Sequence, residues 1–236
     1  MKYVAASEKG KVRNKNEDKY LALNKQDFDI IAVADGMGGH KGGDIASSLA
    51  VQRIKNYNFN SDQLKEDIIT CIELANKDIK NKSLKDEECQ GMGTTLTLGV
   101  IKDRIITIGH IGDSRAYLFR NQQLTQLTED HSYVGELLRK NIINKEEAKN
   151  HPKKNLLMRS LGIDNSVEVD LLSLELKSED LILICSDGLT NMLSDKEIEE
   201  ILSSEEGLKV KVEKMIFLAN QEGGYDNITV VIYKSN

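Results

Sequence analysis

Four strand-like apolar runs of this chain carry an aspartate at one end. Asp35 follows IIAVA, Asp113 follows IITIGHIG, Asp187 follows LILICS, and Asp226 precedes NITVVIY. A strand that apolar is buried, and a lone charged carboxylate at its end is very costly to desolvate. Several such ends meeting in one place make an anionic cavity that metal ions neutralise. Carboxylates, carbonyls and water suit magnesium, manganese or calcium rather than zinc. The pattern points to a metal-dependent hydrolase.

The chain has 236 residues, 39% hydrophobic and 30% charged, which is enough for one substantial core and ordinary for a globular protein. Its net charge of −6 argues against a duplex nucleic-acid partner, which demands Lys and Arg concentrated on one face. Cys71, Cys89 and Cys185 show no C-x-x-C spacing and are odd in number, so reduced thiols and a cytoplasmic location are expected. The opening MKYVAASEKGKVRNKNED turns charged too early for a secretory core. No apolar run nears the roughly 20 residues that span a bilayer, so no membrane partner is expected.

Strand-like runs rich in Val, Ile, Leu and Thr fall at 2–6, 28–34, 94–101, 104–111, 115–120, 167–174, 181–186 and 228–233. Lys102 and Asp103 separate two of them, a two-residue hairpin signal. Helical spacing follows Gly43 (Ile45, Leu49, Ile54) and Ser61 (Leu64, Ile68, Ile72, Ala75, Ile79). Ser194 with Glu197 reads as a capping box before Ile198, Ile201 and Leu202, and Leu208, Val212, Met215, Ile216 and Ala219 mark a further helix. Hairpin-joined strands with helices arriving in pairs disfavour a doubly wound parallel sheet. The expectation is an α+β fold: two antiparallel sheets covered by helices, in a single domain over 1–236. Residues 128–165, with weak helical patterns at Val134, Leu137 and Leu138 and a cap at Asn144–Glu147, read as a flap.

Each motif also has a plainer reading. The glycines after Asp35 imitate a dinucleotide-binding loop, but Asp35 would repel a pyrophosphate there. A tight turn exposing Asp35 and the Gly36 carbonyl uses the same glycines better. Asp113, Asp187 and Asp226 taken singly are ordinary turn residues, and only their recurrence at strand ends argues otherwise. Glu17 and Asp18 in NKNED and Arg13 in KVRNK read equally as a solvated loop. His110, inside an apolar strand, reads as a core residue. His131 reads as a substrate contact or as the start of a helix.

The set VRNKNED, AVADGMGGHKGG, MGTTL, GHIGDSRAYL, LTEDHS, MRSLG, CSDGLTNML and DNITVV resembles the bacterial metal-dependent serine/threonine protein phosphatases of the 2C type. The likeness covers essentially the whole chain, in the family's order. It implies a β-sandwich flanked on both sides by pairs of antiparallel helices. It also implies two core ions, manganese or magnesium, and a third, weaker one. Asp35 would bridge the core pair, Asp187 and Asp226 would complete one ion, and the Gly36 carbonyl would serve the other. Asp113 would hold the third ion with Asp187, while Glu17 and Asp18 would hold waters around the metals. Arg13 stands where the family places its phosphate-binding arginine, whose fork can grip two phosphate oxygens. Ser114, Arg115, Thr94 and Thr95 would support the site.

The chemistry so implied is hydrolysis of phosphoserine and phosphothreonine by a metal-bridged water or hydroxide, without a covalent enzyme intermediate. Cysteine-based chemistry lacks its Cys-x5-Arg arrangement here, and aspartyl-phosphate chemistry would need a second Asp where Met37 stands. Eukaryotic relatives carry a histidine at the Met37 position, so His40 is the candidate general acid, with a surface role the plainer reading. Expected partners are phosphorylated proteins, including a Ser/Thr kinase and its substrates, met by a monomer. Two alternatives stay open: a metallohydrolase for small phosphate esters, and a non-catalytic phosphoprotein-binding relative.

Overall fold

The structure is a computed structural model describing residues 2–38 and 42–235. Two five-stranded antiparallel sheets form its centre. One runs β1 (Tyr3–Glu8), β12 (Ile228–Lys234), β11 (Leu181–Cys185), β8 (Arg115–Arg120), β9 (Gln123–Gln126). The other runs β10 (Asp170–Glu175), β7 (Ile105–Ile111), β6 (Leu96–Lys102), β3 (Phe28–Ala34), β2 (Lys19–Lys25). The helix pair α1 (Gly42–Asn56) and α2 (Leu64–Lys85) covers the second sheet, and α6 (Asp195–Ser203) and α7 (Leu208–Gln221) cover the first. This is the expected helix–sheet–sheet–helix sandwich.

The layering explains why the central strands are continuously apolar. In β3, Ile30, Ala32 and Ala34 face the helices while Ile31 and Val33 face the other sheet. In β11, Leu181, Leu183 and Cys185 face α6 and α7 while Ile182 and Ile184 face inward. Successive side chains point to opposite faces, so a strand covered on both needs apolar residues throughout. Edge strands escape that demand. Both strands that sequence reading missed among the ten, β2 and β9, are edges, and their KYLALNK and QLTQ leave polar side chains in solvent.

Two further details differ from expectation. The hairpin loop is Asp103 and Arg104, because Lys102 pairs with Ile105 in the ladder; both loop residues take positive φ, 49° and 62°. That is the twist a two-residue turn needs, supplied here without glycine. Helix α1 buries Ala46, Ser47, Ala50 and Ile54, while Ile45 and Leu49 are only partly covered. Its small-residue face lets the helix approach the strand ends closely.

Ladder register places the site. In one sheet Lys19 pairs with Ala34, Val33 with Thr97, and Leu96 with Ile111. In the other, Cys185 pairs with Val230 and with Arg115. The start of β2, the end of β3, the start of β6 and the end of β7 are therefore level. So are the end of β11 and the starts of β8 and β12. Asp18, Asp35, Thr95, Asp113, Ser114, Asp187 and Asp226 all lie at these ends.

Residues 128–165 contain α3 (Tyr133–Arg139), capped by Ser132, and α4 (Lys145–Lys149), opened by the expected capping box of Asn144 and Glu147. Short bridges, Ser132 to Leu157 and Thr94 to Leu161, tie this segment down.

Candidate metal centre

A cavity of about 190 Å³ opens at those strand ends. Its walls hold Arg13, Glu17, Asp35, Gly36, Asp113, Asp187 and Asp226, with Met37, Gly38, Thr95, Asn155, Leu157 and Asn227. Of the sequence-predicted residues, only Asp18 lies behind the wall, and His40 is outside the described residues. A larger surface groove of about 750 Å³, lined by Lys80, Ser83, Leu84, Glu87, Gln90, Gly91, Gly162 and Ile163, has one carboxylate and no cluster. The smaller cavity is where the chemistry concentrates.

Asp35 leaves the end of β3 with its peptide fixed on both sides. Its N–H donates to Thr95 Oγ1 at 3.0 Å, and its carbonyl accepts from Thr94 Oγ1 and the Thr95 N–H, each at 2.9 Å. Ser114 Oγ meets Thr95 Oγ1 at 2.8 Å, so these hydroxyls scaffold the strand ends. Arg115 is likewise structural, gripping Asp130. Gly36 follows in the two-residue strand β4 (Gly36–Met37), which pairs with β5 (Gly93–Thr94). A Cβ there would stand 2.2 Å from the Gly43 carbonyl oxygen and 2.6 Å from that of Glu17, so no larger residue fits.

Asp187 opens a single helical turn, α5 (Asp187–Thr190), and its Oδ2 accepts from Asn191 Nδ2 at 2.9 Å. Its other oxygen is buried without a hydrogen-bond partner. Asp18 is 2% exposed; Ser186 and Thr229 donate to its Oδ2 at 2.7 and 2.6 Å, and its Oδ1 is likewise buried without a partner. Asp226 accepts from Arg13 Nη2 at 2.7 Å and from the Asn227 N–H. The Arg13 side chain is 53% exposed at the cavity mouth.

Sequence reading missed Asn227. Its Oδ1 accepts from the Glu17 N–H, and its Nδ2 donates to the carbonyls of Lys9 and Lys15, each at 2.8 Å. One amide thus holds the loop bearing Arg13 and Glu17 against β12. The signal was the amide directly after Asp226, in a motif already singled out. Asn155 and Leu157 were also missed, having no pattern of their own.

Crowding raises the carboxylate pKa values. Burial, then the charges of Asp18, Asp187, Asp113 and Asp226, pushes Asp35 well above the usual range. Burial and Asp187 do the same to Asp113. Burial and Asp226 lift Asp187 to about 6, and burial lifts Asp18 to about 6 against the hydrogen bonds from Thr229 and Ser186. Among the described residues no three of His, Cys, Asp or Glu stand close enough to enclose an ion alone. The carboxylates line a cavity rather than meet at a point, which suits magnesium-like ions that keep several waters and take one or two carboxylates. The orphaned oxygens of Asp187 and Asp18 and the all-oxygen donor set fit such cations.

His110, His131 and the three cysteines take structural places. His110 is buried, its Nε2 donating to the Glu129 carbonyl at 3.0 Å, and burial lowers its pKa to about 4. His131 is buried and does not line the cavity, so it contacts no substrate there. The three cysteines are buried and unpaired, and burial pushes the thiols of Cys71 and Cys185 up to about 12. None is a nucleophile for this cavity.

The family described as Protein phosphatase 2C matches residues 9–229. The chain belongs to the protein phosphatase 2C family. It is a serine/threonine protein phosphatase of the 2C type, a metal-dependent class of enzyme. It is 42% identical over 233 residues to serine/threonine phosphatase stp of Listeria monocytogenes, covering 96% of this chain and 92% of the relative. The S. agalactiae serine/threonine phosphatase superposes with a TM-score of 0.92 at 35% identity, over 99% of both chains. The catalytic domain of the serine/threonine protein phosphatase PstP, solved in complex with two manganese ions, superposes at 0.88 with 36% identity over 98% of this chain and 96% of that one. For this phosphatase 2C chain, as for the class, metal dependence follows.

Proposed function

We infer that this phosphatase removes phosphate from phosphoserine and phosphothreonine in proteins by water attack supported by two divalent cations, manganese or magnesium. The observation that carries the reading is the buried, unpartnered oxygen of Asp187 in a cavity shared with Asp35, Asp113 and Asp226. When bound, such ions lower the pKa of water and supply a strong oxygen nucleophile at neutral pH.

The chain's own residues do the rest. Asp35, with its peptide fixed by Thr94 and Thr95, would serve both core cations; Asp187 and Asp226 would complete one and the Gly36 carbonyl would serve the other. Asp113 with Asp187 would hold a third, weaker ion. Glu17 and Asp18 orient water, Asp18 from behind the wall with its oxygen pinned by Ser186 and Thr229. Arg13 has donors beyond the one on Asp226 and sits at the mouth, placed to grip the incoming phosphate dianion. Water attack of this kind needs no covalent enzyme intermediate, which agrees with a described lining that holds no cysteine and with Met37 at the position where aspartyl-phosphate chemistry would need a second Asp. His40 remains the proposed proton donor to the leaving alkoxide and lies outside the described residues.

In this reading the whole of 1–236 is one catalytic domain with 128–165 as its flap. The enzyme works as a cytoplasmic monomer against a Ser/Thr kinase and that kinase's substrates. Among the described residues, no helix is long and apolar enough to cross a membrane. The test is hydrolysis of phosphopeptides and of sugar phosphates, each with manganese, magnesium, calcium or a chelator. Metal-dependent turnover confined to phosphopeptides is expected. Preference for sugar phosphates would move the enzyme to small esters, and no turnover on either would leave a binding protein.

A further inference from the structure

His131 is 3% exposed, and its polar atoms are used in a way the proposed chemistry leaves unexplained. Its backbone N–H donates to the Gly112 carbonyl at 2.7 Å, and its ring Nδ1 accepts from the Gly112 N–H at 3.2 Å. Both polar groups of one glycine are thereby taken by one histidine. An Nδ1 that accepts leaves the hydrogen on Nε2, which reaches Asp170 Oδ2 at 3.0 Å. Asp170, in turn, accepts from Arg159 Nη1 at 2.9 Å through its other oxygen. The His131 carbonyl accepts from the Met158 N–H at 2.8 Å, beside the Ser132–Leu157 bridge.

Gly112 is the residue before Asp113, and it needs holding. Its φ is +112°, and a Cβ on it would stand 2.5 Å from the Thr95 side chain, so neither a larger residue nor an ordinary backbone conformation serves. On the flap side, Asn155 and Leu157 line the same cavity as Asp113. We propose that His131 is a positioning residue: its Nδ1 face sets the turn that aims Asp113, and its Nε2 face, through Asp170 and Arg159, sets the flap segment that presents Asn155 and Leu157. The proposal rests on the cavity being the phosphatase centre, but the two faces can be separated without reference to activity.

Asparagine places an acceptor where Nδ1 lies and nothing at Nε2; glutamine places a donor near Nε2 and nothing at Nδ1. The measurements are amide hydrogen exchange of the full chain in chelator, then kcat and KM on a phosphopeptide with saturating manganese. In His131→Asn, Gly112 should keep its protection and kcat should stay within about 3-fold, while residues 156–159 exchange faster and KM rises. In His131→Gln, Gly112 should exchange ~10-fold faster or more and kcat should fall by a similar factor, with KM little changed. A histidine that merely fills space would make the two variants alike, and equal behaviour, whether impaired or native, overturns the proposal. If the native enzyme itself shows no metal-dependent turnover, the phosphatase reading fails while the exchange pattern still decides whether His131 has two separable faces.

Discussion

Asp35 has its peptide fixed at three points by Thr94 and Thr95, so replacing its carboxylate changes charge rather than position. Asp35→Asn should lose both core cations and at least ~1,000-fold in rate, because the nucleophile depends on them. Calorimetry with manganese, read beside phosphopeptide turnover, checks both halves; two tightly bound ions with intact activity would sink the assignment. Arg13 contributes a different term. Arg13→Lys keeps a cation but loses the fork, so KM for phosphopeptide should rise roughly 5- to 150-fold, a binding loss on the order of 1–3 kcal/mol, with kcat little altered. A loss confined to kcat would make Arg13 a transition-state group instead. These residues were legible because a carboxylate at the end of an apolar strand contradicts its surroundings, and Arg13 only through resemblance. Asn227 was not legible, since nothing along the chain says that residues 9, 15 and 17 will reach it.

At the scale of elements, the loop between β1 and β2 is a support of the site with no helix or strand of its own. It carries Arg13 and Glu17, has no regular structure, and depends on the Asn227 amide for three hydrogen bonds. Asn227→Ala should therefore raise KM for phosphopeptide several-fold and lower stability by roughly 1–3 kcal/mol, since it strands polar groups. Kinetics with a thermal melt reads both; an unchanged KM would show that the loop holds its shape unaided. The Gly112–Asp113 turn gives the opposite case. Asp113→Ala should keep a cooperative melt of the folded enzyme and remove most activity, and full activity would return Asp113 to an ordinary turn residue. Helices with caps and regular spacing were readable from sequence. Edge strands β2 and β9 were not, because a strand with one solvent face and polar residues lacks the apolar run that announces the others.

Across the whole molecule, the cavity sets binding against stability. Asp18 and Asp187 have folded pKa values lifted to about 6 from 3.8, chiefly by burial. A raised carboxylate pKa contributes stability that is full below about pH 4 and lost as pH rises through about 6. Part of the stability of the chelated enzyme should therefore decline between those values. Asp187→Asn should abolish its share of that decline, raising Tm in chelator at neutral pH by a few degrees while cancelling the rise that manganese gives the native enzyme. Differential scanning calorimetry across pH, with and without manganese, makes the comparison. A native enzyme whose Tm manganese leaves unmoved would count against a cation in this cavity.

The sequence by itself determined the sandwich, because strands covered on both faces must be apolar throughout and helices that cover sheets must carry one apolar face. It also marked the four aspartates at strand ends, since charge and burial cannot coexist there without a partner. Only the tertiary structure decided that these ends lie level in two different sheets, which follows from ladder register across strands far apart in sequence. It alone brought Asn227 to the β1–β2 loop, turned His131 away from the cavity toward Gly112 and Asp170, and set Asn155 and Leu157 into the cavity wall. Such contacts join polar groups with no periodicity of their own, so their partners are fixed by where the chain folds back rather than by any local pattern.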